Sequence, residues 1–320
     1  MGISMQSTYD VSVVIPAKNE GESLRRLLPE LRRIVPDAEI IVVDDGSTDD
    51  TASVAADMGA KVLRHPYSKG NGAAIKSGAR AARGNVIAFL DADGQHRPTD
   101  LPRLLYELDN NYDMVVGSRN SASQANLGRR AANAFYNWLA SYMTGQRICD
   151  LTSGFRVVRA NKFREFLYLL PNGFSYPTTS TMAFFRAGYS VSYVPIEASK
   201  RVGRSHIRPL HDGLRFLLII FKIGTLYSPL KLFCPVGAAF LLTGLVYYLY
   251  TYITAERLTN MTVVMFTTAV VIFLMGLVSE QITQLMYKPL NLEGFSEQSQ
   301  INDSTQTARK FRPTGTIGGP

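Results

Sequence analysis

The chain has 320 residues, a formal net charge of +8 and only two cysteines, Cys149 and Cys234. Two cysteines cannot build a disulfide framework or a zinc site, and this usage is typical of a reducing, cytosolic compartment. The positive charge suits an anionic membrane surface or a phosphorylated substrate. No zinc-finger, RNA-binding or heptad pattern occurs, so we do not expect nucleic acid to be a partner.

Residues 1–10 form a short polar tail without an apolar signal core. From residue 11 to residue 116 short β-rich segments alternate with helical patterns, which predicts an α/β fold with a doubly wound, mostly parallel sheet. The predicted strands are Val11–Ile15, Glu39–Asp44, Lys61–Leu63, Val86–Leu90 and Met114–Val116, and the predicted helices are Glu22–Val35, Asp49–Met58, Gly72–Ala82 and Thr99–Asn110.

Three of these strands lead into loops that carry carboxylates. The loops are Pro16–Glu20 after the first strand, Asp44–Thr51 after the second and Asp91–Gln95 after the fourth. Ligands of such sheets bind at the carboxyl ends of the strands, so we expect the three loops to share one site. Asp44 and Asp45 could accept hydrogen bonds from a base N–H or from ribose hydroxyls.

Asp91 and Asp93 carry the most specific signal in the chain. Alternate residues of a strand share a face, so the two carboxylates can point the same way where the strand ends. Two like charges so close are costly unless a cation lies beside them. Oxygen ligands suit Mg²⁺ or Mn²⁺, which keeps positions open for substrate phosphates. A polar turn without a metal is the alternative for an isolated Asp-x-Asp pair.

Two further helices are predicted after the sheet region. Gly128–Met143 places apolar side chains such as Phe135 and Trp138 at helical spacing, and Pro209–Tyr227 leads directly into an apolar segment. The apolar faces either pack in a core or lie on a bilayer. The position of the second helix favours an interfacial amphipathic helix over residues 207–230.

Two long segments near the C-terminus contain no charged residue, Leu232–Ala255 and Leu258–Ser279. Each is long enough, at 1.5 Å per residue, to cross a hydrocarbon core of about 30 Å. We therefore predict two transmembrane helices, about 232–254 and 260–283, within residues 231–287. A buried helical hairpin in a soluble domain is the alternative.

The charges that flank these segments predict their orientation. Lys222, Lys231 and Lys288 lie at the outer ends of the pair, and the positive-inside rule then places the N-terminal domain in the cytoplasm. Residues 288–320 are polar and low in apolar content, and we expect them to be disordered.

Four short motifs follow one another along the chain. They are Pro16-Ala17-Lys18-Asn19-Glu20, Asp44-Asp45-Gly46-Ser47, Asp91-Ala92-Asp93-Gly94-Gln95 and Gly117-Ser118-Arg119. In this order they match the signature of the family 2 glycosyltransferases, and the chain resembles that family. Motifs at 150–156 and 201–205 extend the likeness over roughly residues 10 to 230. The chain looks most like the dolichol-phosphate-mannose synthase branch, and its spans resemble those of bacterial polyprenyl-phosphate glycosyltransferases.

This resemblance implies a GT-A catalytic domain over residues 11–206. It implies that Asp91, Asp93 and Gln95 hold Mg²⁺ or Mn²⁺, which acts on the donor diphosphate as a Lewis acid and template. Arginines of the family motifs would meet phosphates, for which a planar guanidinium is suited. The implied nucleotide-sugar-binding set is Pro16, Ala17, Asn19, Glu20, Asp44, Asp45, Asp91, Ala92, Arg119 and Arg201.

The implied acceptor is a polyprenyl phosphate, such as dolichyl or undecaprenyl phosphate. A lipid phosphate is already anionic and needs no general base, but cations must hold it in line with the departing diphosphate. Arg129, Arg130 and Asn133 fall where the family places its acceptor-phosphate group, although a solvated helix face is the alternative. Asp93, Arg119 and Arg129 are the residues expected to carry catalysis.

Together these inferences predict an integral, multi-pass membrane enzyme, an inverting and metal-dependent hexosyltransferase. It would move one sugar from a UDP- or GDP-sugar to a polyprenyl phosphate at the cytoplasmic face. The absence of a Gln-x-x-Arg-Trp motif favours a single transfer. A hydroxyl-bearing lipid acceptor, with Asp150 as the base, is one alternative, and an inactive nucleotide-sugar-binding scaffold is another. The sugar, the nucleotide and a homo-oligomeric state stay open.

Overall fold

The computed structural model describes residues 10–119, 127–173, 175–197, 225 and 227–286, with the backbone alone for residues 127–133. Almost all of the predicted tails, 1–10 and 288–320, and most of the helix predicted over 207–230 lie outside the described residues. Arg201 lies outside them as well.

The first half of the chain alternates strands and helices close to the predicted bounds. Apolar residues recur with different periods in its strands and in its amphipathic helices, so the sequence pattern predicts both kinds of element. The elements are β1 Val11–Ala17, α1 Gly21–Ile34, β2 Glu39–Asp44, α2 Thr51–Asp57, β3 Lys61–Arg64, α3 Asn71–Ala81, β4 Val86–Phe89, a 3₁₀ turn at Pro98–Asp100, α4 Leu101–Asp109 and β5 Met114–Arg119.

The second half contains several elements that the pattern did not predict. Helix α7 is buried over almost its whole length, from Tyr176 to Phe184, so it has no polar face to reveal a helical period. Strand β6 has only four residues and an arginine at each end. The elements are α5 Leu127–Thr144, β6 Arg156–Arg159, α6 Ala160–Arg164, α7 Tyr176–Arg186, β7 Val191–Ile196, α8 Pro229–Ala255 and α9 Asn260–Met286.

The seven described strands form one mixed sheet in the order β3-β2-β1-β4-β6-β5-β7. β6 runs antiparallel to β4 and β5, and every other neighbouring pair is parallel. In the register, Phe89 at the end of β4 pairs with Arg156 at the start of β6. The segment before β6 therefore lies at the same edge of the sheet as the carboxyl ends of β1, β2, β4 and β5.

The core of this domain is a layer of branched apolar side chains covered by helices on both faces. All four residues of β4, Val86 to Phe89, are fully buried, as expected for a central strand of a doubly wound sheet. Helix α1 contributes Leu24, Leu28 and Leu31 to the same core. The rigid sheet holds the loops at its edge in fixed positions.

Helix α5 presents an aromatic face to the outside. Phe135, Trp138 and Tyr142 are about half exposed and form a stack, with the rings of Trp138 and Tyr142 6.1 Å apart. Core packing of these three side chains, one of the two interpretations of the sequence pattern, is therefore wrong. The opposite face of α5 buries Tyr136 and Met143.

The two apolar helices, α8 and α9, are each 27 residues long and have the length and composition needed to cross a membrane. They contact each other along a seam of small residues repeated every seven positions. Its buried members are Gly237, Gly244 and Thr251 on α8 and Thr262, Ala269, Gly276 and Thr283 on α9. A Cβ at Gly244 would lie 3.0 Å from Met265 Cβ, so this close approach needs glycine.

Most other apolar side chains of these helices, such as Leu245 and Val271, are exposed. A lipid environment accommodates such a surface, and water does not. Residues up to Thr283 form one compact unit, and Gln284–Pro320 form a second, of which the structure describes only the end of α9.

Candidate active site

The loops after β1 and β2 are locked together by hydrogen bonds. The Thr48 backbone N–H donates to Asn19 Oδ1 (2.9 Å), and the Asn19 N–H donates to Ser47 Oγ (3.0 Å). The Glu20 N–H donates to Thr51 Oγ1 (2.9 Å). Asn19 adopts a φ of 54°, in the left-handed region that asparagine tolerates better than most residues. The two motifs thus form one rigid wall of the site.

Asp44 keeps an acceptor atom available within this wall. Its Oδ1 accepts a hydrogen bond from the Ser47 N–H (2.8 Å). Its buried Oδ2 has no hydrogen-bond partner among the described residues, although Arg64 Nε lies 3.3 Å away as an ion pair. A buried carboxylate oxygen without a well-aligned hydrogen bond is costly in a folded protein, and a donor group of a bound ligand would reduce that cost.

Asp45 has the opposite environment, because its carboxylate is fully used within the protein. Burial would raise the pKa of Asp45, but hydrogen bonds to it outweigh burial and lower the pKa to about 2. The donors are His65 Nδ1 (2.7 Å), Ser68 Oγ (2.8 Å), Lys69 N–H (2.8 Å) and Gly70 N–H (2.8 Å). Its predicted contact with a nucleotide stays a prediction; the geometry shows Asp45 organising the loop before α3.

Two other residues of the predicted nucleotide-sugar-binding set lie inside the core. The side chains of Ala17 and Ala92 are buried in the main apolar cluster, so only their backbone atoms can face a ligand. Pro16 is partly exposed at the end of β1. The structure therefore separates residues that shape this edge of the sheet from residues whose side chains can contact a ligand.

Asp91 and Asp93 lie where β4 leaves the sheet, in a turn completed by Gly94 with a φ of 70°. The Gln95 backbone N–H donates to Asp93 Oδ1 (3.1 Å), which fixes this turn. The Asp91 side chain is 32% exposed. It packs on Gly154, where a Cβ would lie only 2.4 Å from Asp91 Oδ2. Backbone packing therefore sets the position of the Asp91 carboxylate.

His96 closes the buried side of this turn. The ring is almost fully buried, 5.4 Å from the ring of Phe155, and its Nδ1 lies 3.9 Å from Asp91 Oδ2. Burial lowers the pKa of His96 to about 4, against the opposing effect of the Asp93 charge. The imidazole is thus neutral at physiological pH.

Arg119, at the end of β5, faces these carboxylates and is held by Asp150. Its Nε and Nη2 donate to the two oxygens of Asp150 (2.8 and 3.0 Å), and Nη2 also donates to Thr152 Oγ1 (2.6 Å). Burial would lower the pKa of Arg119, but Asp150, together with the charges of Asp91 and Asp93, raises it. A permanent cation thus lies among the acidic groups of this edge.

The profile of "Glycosyl transferase family 2" matches residues 12–167, and that of "GtrB C-terminal hairpin" matches residues 228–285. An undecaprenyl-phosphate mannosyltransferase of Micrococcus luteus is 33% identical over 205 residues, which cover 60% of this chain and 84% of that protein. The chain belongs to glycosyl transferase family 2.

Another relative of this family 2 glycosyltransferase is a dolichyl-phosphate hexose transferase of Haloferax volcanii. It is 28% identical over 216 residues, which cover 67% of this chain and 93% of the relative. Glucosyl-3-phosphoglycerate synthase of Mycobacterium tuberculosis, crystallised with Mn²⁺ and UDP, has the same fold, with a TM-score of 0.55 at 22% identity over 68% of this chain and 79% of that one. The predicted fold class is confirmed.

The sequence pattern did not predict the structural roles of Arg156 and Tyr176. Arg156 is fully buried, and its Nη1 donates to Ser180 Oγ (2.8 Å) and to the Pro177 carbonyl (2.9 Å). Burial lowers the pKa of Arg156. The Tyr176 hydroxyl donates to the Gly154 carbonyl (3.0 Å). These contacts tie α7 to the segment that supports Asp91.

The predicted acceptor residues of this glycosyltransferase lie in α5. Arg129, Arg130 and Asn133 belong to its first turns, and their side chains are outside the described residues. Their role, like that of Arg201, stays a prediction. The described backbone places all three before the part of α5 that packs on α7.

Proposed function

We propose that this family 2 glycosyltransferase is an inverting enzyme that transfers one sugar from a nucleotide sugar to a polyprenyl phosphate. The observation that carries the proposal is the cluster of Asp91, Asp93 and Arg119 at the carboxyl edge of the sheet. Two carboxylates and a fixed guanidinium suit a diphosphate that leaves with a divalent ion. The relatives that act on polyprenyl phosphates supply the acceptor class.

The residues at the end of β4 fit a divalent metal. Asp91 and Asp93 offer hard oxygen ligands, and Gly154 fixes one of them by direct packing. The described residues contain no group of three His, Cys, Asp or Glu side chains able to hold a metal, so donor phosphates and Gln95 would complete the coordination. When bound, Mg²⁺ or Mn²⁺ would neutralise the diphosphate.

Side chains of the protein itself then bind the nucleotide, the leaving diphosphate and the acceptor phosphate. Arg119 stabilises the negative charge that develops on the leaving diphosphate, because its guanidinium is fixed before the reaction by Asp150. Asp44 Oδ2, which has an ion pair with Arg64 but no hydrogen-bond partner among the described residues, accepts a hydrogen bond from the nucleoside. Arg129 and Arg130 hold the acceptor phosphate for attack on the anomeric carbon from the side opposite the diphosphate, which inverts the configuration.

The state of Asp150 argues against a hydroxyl acceptor. A hydroxyl needs a base to take its proton, and Asp150 was the one candidate suggested by the sequence. Burial would raise the pKa of Asp150, but its bond to Arg119 lowers it. A carboxylate that is occupied by Arg119 and has a lowered pKa is a poor base, whereas an anionic phosphate needs none.

Membrane attachment supports a lipid acceptor. The hairpin of α8 and α9 has the composition of two membrane-spanning helices, and Lys231 at its start favours a cytoplasmic catalytic domain. In this arrangement the enzyme is an integral membrane protein whose site meets the phosphate of a lipid in the adjacent leaflet.

A transfer assay tests the proposal directly. Purified protein in detergent with Mg²⁺ or Mn²⁺ is incubated with labelled UDP- or GDP-sugars and a polyprenyl phosphate, and the lipids are extracted. We expect label in a lipid that mild acid hydrolyses, and loss of the product after chelation of the metal. No labelled lipid from any donor contradicts the proposal, and label on a phosphate-free lipid supports the hydroxyl acceptor instead.

A further inference from the structure

A charged side chain lies within the second apolar helix and has a partner in the catalytic domain. Glu280 of α9 is largely buried, and its Oε1 lies 3.4 Å from Nη2 of Arg186, the last residue of α7. Both side chains are less than one fifth exposed. Glu280 directly follows the charge-free segment that ends at Ser279. Burial of a charged side chain costs free energy unless the charge is paired, and membrane anchoring alone does not require a buried charge there.

Three further contacts surround this ion pair. Arg186 donates to the Tyr227 carbonyl, and its guanidinium lies 5.8 Å from the centre of the Tyr227 ring. Lys231 Nζ at the start of α8 donates to the Met143 carbonyl at the end of α5 (2.9 Å). Thr283 Oγ1 of α9 donates to the Thr225 carbonyl (3.0 Å). The hairpin is thus joined to the catalytic domain at both of its outer ends.

A packed path connects these contacts to the candidate site. Tyr227 belongs to an apolar cluster with Tyr136 of α5, Met182 of α7 and Leu151. Leu151 directly follows Asp150, the residue that holds Arg119. Helix α5, whose last turn is bound by Lys231, begins with the turns that contain the acceptor arginines. The path therefore leads along α5 to the acceptor side of the site.

We propose that the hairpin clasp, defined as the Arg186–Glu280 ion pair and the bonds of Arg186 and Lys231 to the carbonyl groups of Tyr227 and Met143, sets the position of the acceptor side relative to the bilayer. The hairpin is then a positioning element of the enzyme as well as its anchor. The activity part of this proposal rests on the proposed function. Its physical basis is that a buried ion pair holds one geometry, since separating the charges leaves them unpaired in a poorly solvated region.

Charge reversal tests the clasp. Arg186→Glu, Glu280→Arg and the double reversal are compared with two acceptors, a long-chain polyprenyl phosphate in lipid vesicles and a short, water-soluble prenyl phosphate. Each single reversal is expected to raise the KM for the long-chain acceptor about tenfold, a typical size for coupling between sites. The donor KM and the rate with the short acceptor stay within about twofold of wild type, since the chemical groups are untouched.

The double reversal should restore most of the lost affinity for the long-chain acceptor, because it rebuilds the ion pair. Arg26→Glu is the matched control: Arg26 pairs with Glu22 on the surface of α1, with both side chains more than 70% exposed. The Arg26→Glu variant should have the KM and the rate of wild type with both acceptors. Equal loss with both acceptors, or no rescue by the double reversal, overturns the proposed positioning role.

A double-mutant cycle on thermal unfolding separates the clasp from the proposed function. Arg186 and Glu280 should show a stabilising coupling whether or not the protein makes a labelled lipid. Wild-type protein without lipid product contradicts the proposed function but leaves this coupling measurable. Absence of coupling refutes the clasp itself, and coupling without an acceptor effect refutes its positioning role.

Discussion

The turn after β2 and the turn after β4 look alike in sequence and differ in what their carboxylates do. At the end of each buried strand, two aspartates come shortly before a glycine with a φ of 70°, Gly46 or Gly94. The Asp45 side chain is 7% exposed and accepts four hydrogen bonds from its own chain. The Asp91 side chain is 32% exposed and packs closely on Gly154.

This difference shows how one pattern can serve structure and chemistry. A carboxylate whose acceptor positions are filled by backbone N–H groups and by side chains stabilises the loop around it. A partly exposed carboxylate that lies near a cation can take a metal ion as a further partner. The first turn fixes the wall of the site, and the second carries the carboxylates proposed to bind the metal ion.

The largest effect is expected at the second turn. Asp93→Ala should reduce turnover by about 1000-fold or more, because a lost metal ligand removes several kcal/mol of charge stabilisation. The measurement is the rate of labelled-lipid formation at saturating metal and donor. The thermal transition should stay near that of wild type, as should both properties of the control Asp109→Ala, at an exposed position on α4. Full activity of the Asp93 variant would remove the distinction between the two turns.

Arg119 tests whether the cation beside the second turn must be a fixed guanidinium. Arg119→Lys keeps the charge but cannot make the paired hydrogen bonds with Asp150. We expect kcat to fall about 100-fold, the scale seen when one preorganised donor to a developing anion is lost. The control is Arg103→Lys, since Arg103 forms a surface pair with Asp100 at 2.8 Å. An equal decrease in both variants would mean that any arginine substitution harms the fold.

Gly154 tests the claim that packing positions Asp91. In Gly154→Ala the new Cβ would meet Asp91 Oδ2 at 2.4 Å, and the other two atoms closest to it also belong to Asp91. We expect the metal concentration for half-maximal activity to rise about tenfold, as for lost support of a metal ligand. Gly173→Ala, where a Cβ meets nothing within 4 Å, should leave it unchanged. A lower kcat with unaltered metal dependence would contradict this role.

Most strands and helices could be predicted from the sequence, whereas the side-chain contacts of the site could not. Strands β1 to β5 and the apolar helices follow from local patterns of apolar residues. Buried helix α7 and the short strand β6 lack such patterns, since one has no polar face and the other is bounded by Arg156 and Arg159. Their places depend on neighbours that are distant in the chain.

The same limit applies to individual side chains. The Asp91–Asp93 pair is visible in the sequence because the two residues are neighbours, whereas Arg119 and Asp150 are 31 positions apart. The donors to Asp45 come from residues 20 to 25 positions away, and three of the four are a backbone N–H or a serine hydroxyl with no distinctive sequence signal. Only the folded chain shows which carboxylate is saturated.

Substitution of Asp45 is expected to have the smallest effect on turnover and to lower the stability of the fold. Its pKa is about 2 in the folded protein, below its ordinary value of 3.8, so its ionised form stabilises the fold by about 2 kcal/mol at neutral pH. This stabilisation is complete above about pH 4 and is lost as the pH falls towards 2.

Asp45→Asn should therefore lower the Tm at pH 7 and weaken the dependence of the Tm on pH between about 4 and 2. Turnover at a temperature well below the transition should stay within about threefold of wild type, because Asp45 acts through the loop before α3. Thermal unfolding in detergent across this pH range, with the transfer assay at pH 7, measures both. If Asp45→Asn lost turnover as Asp93→Ala does while its Tm stayed unchanged, Asp45 would belong with the ligand-binding carboxylates, and the contrast between the two turns would be wrong.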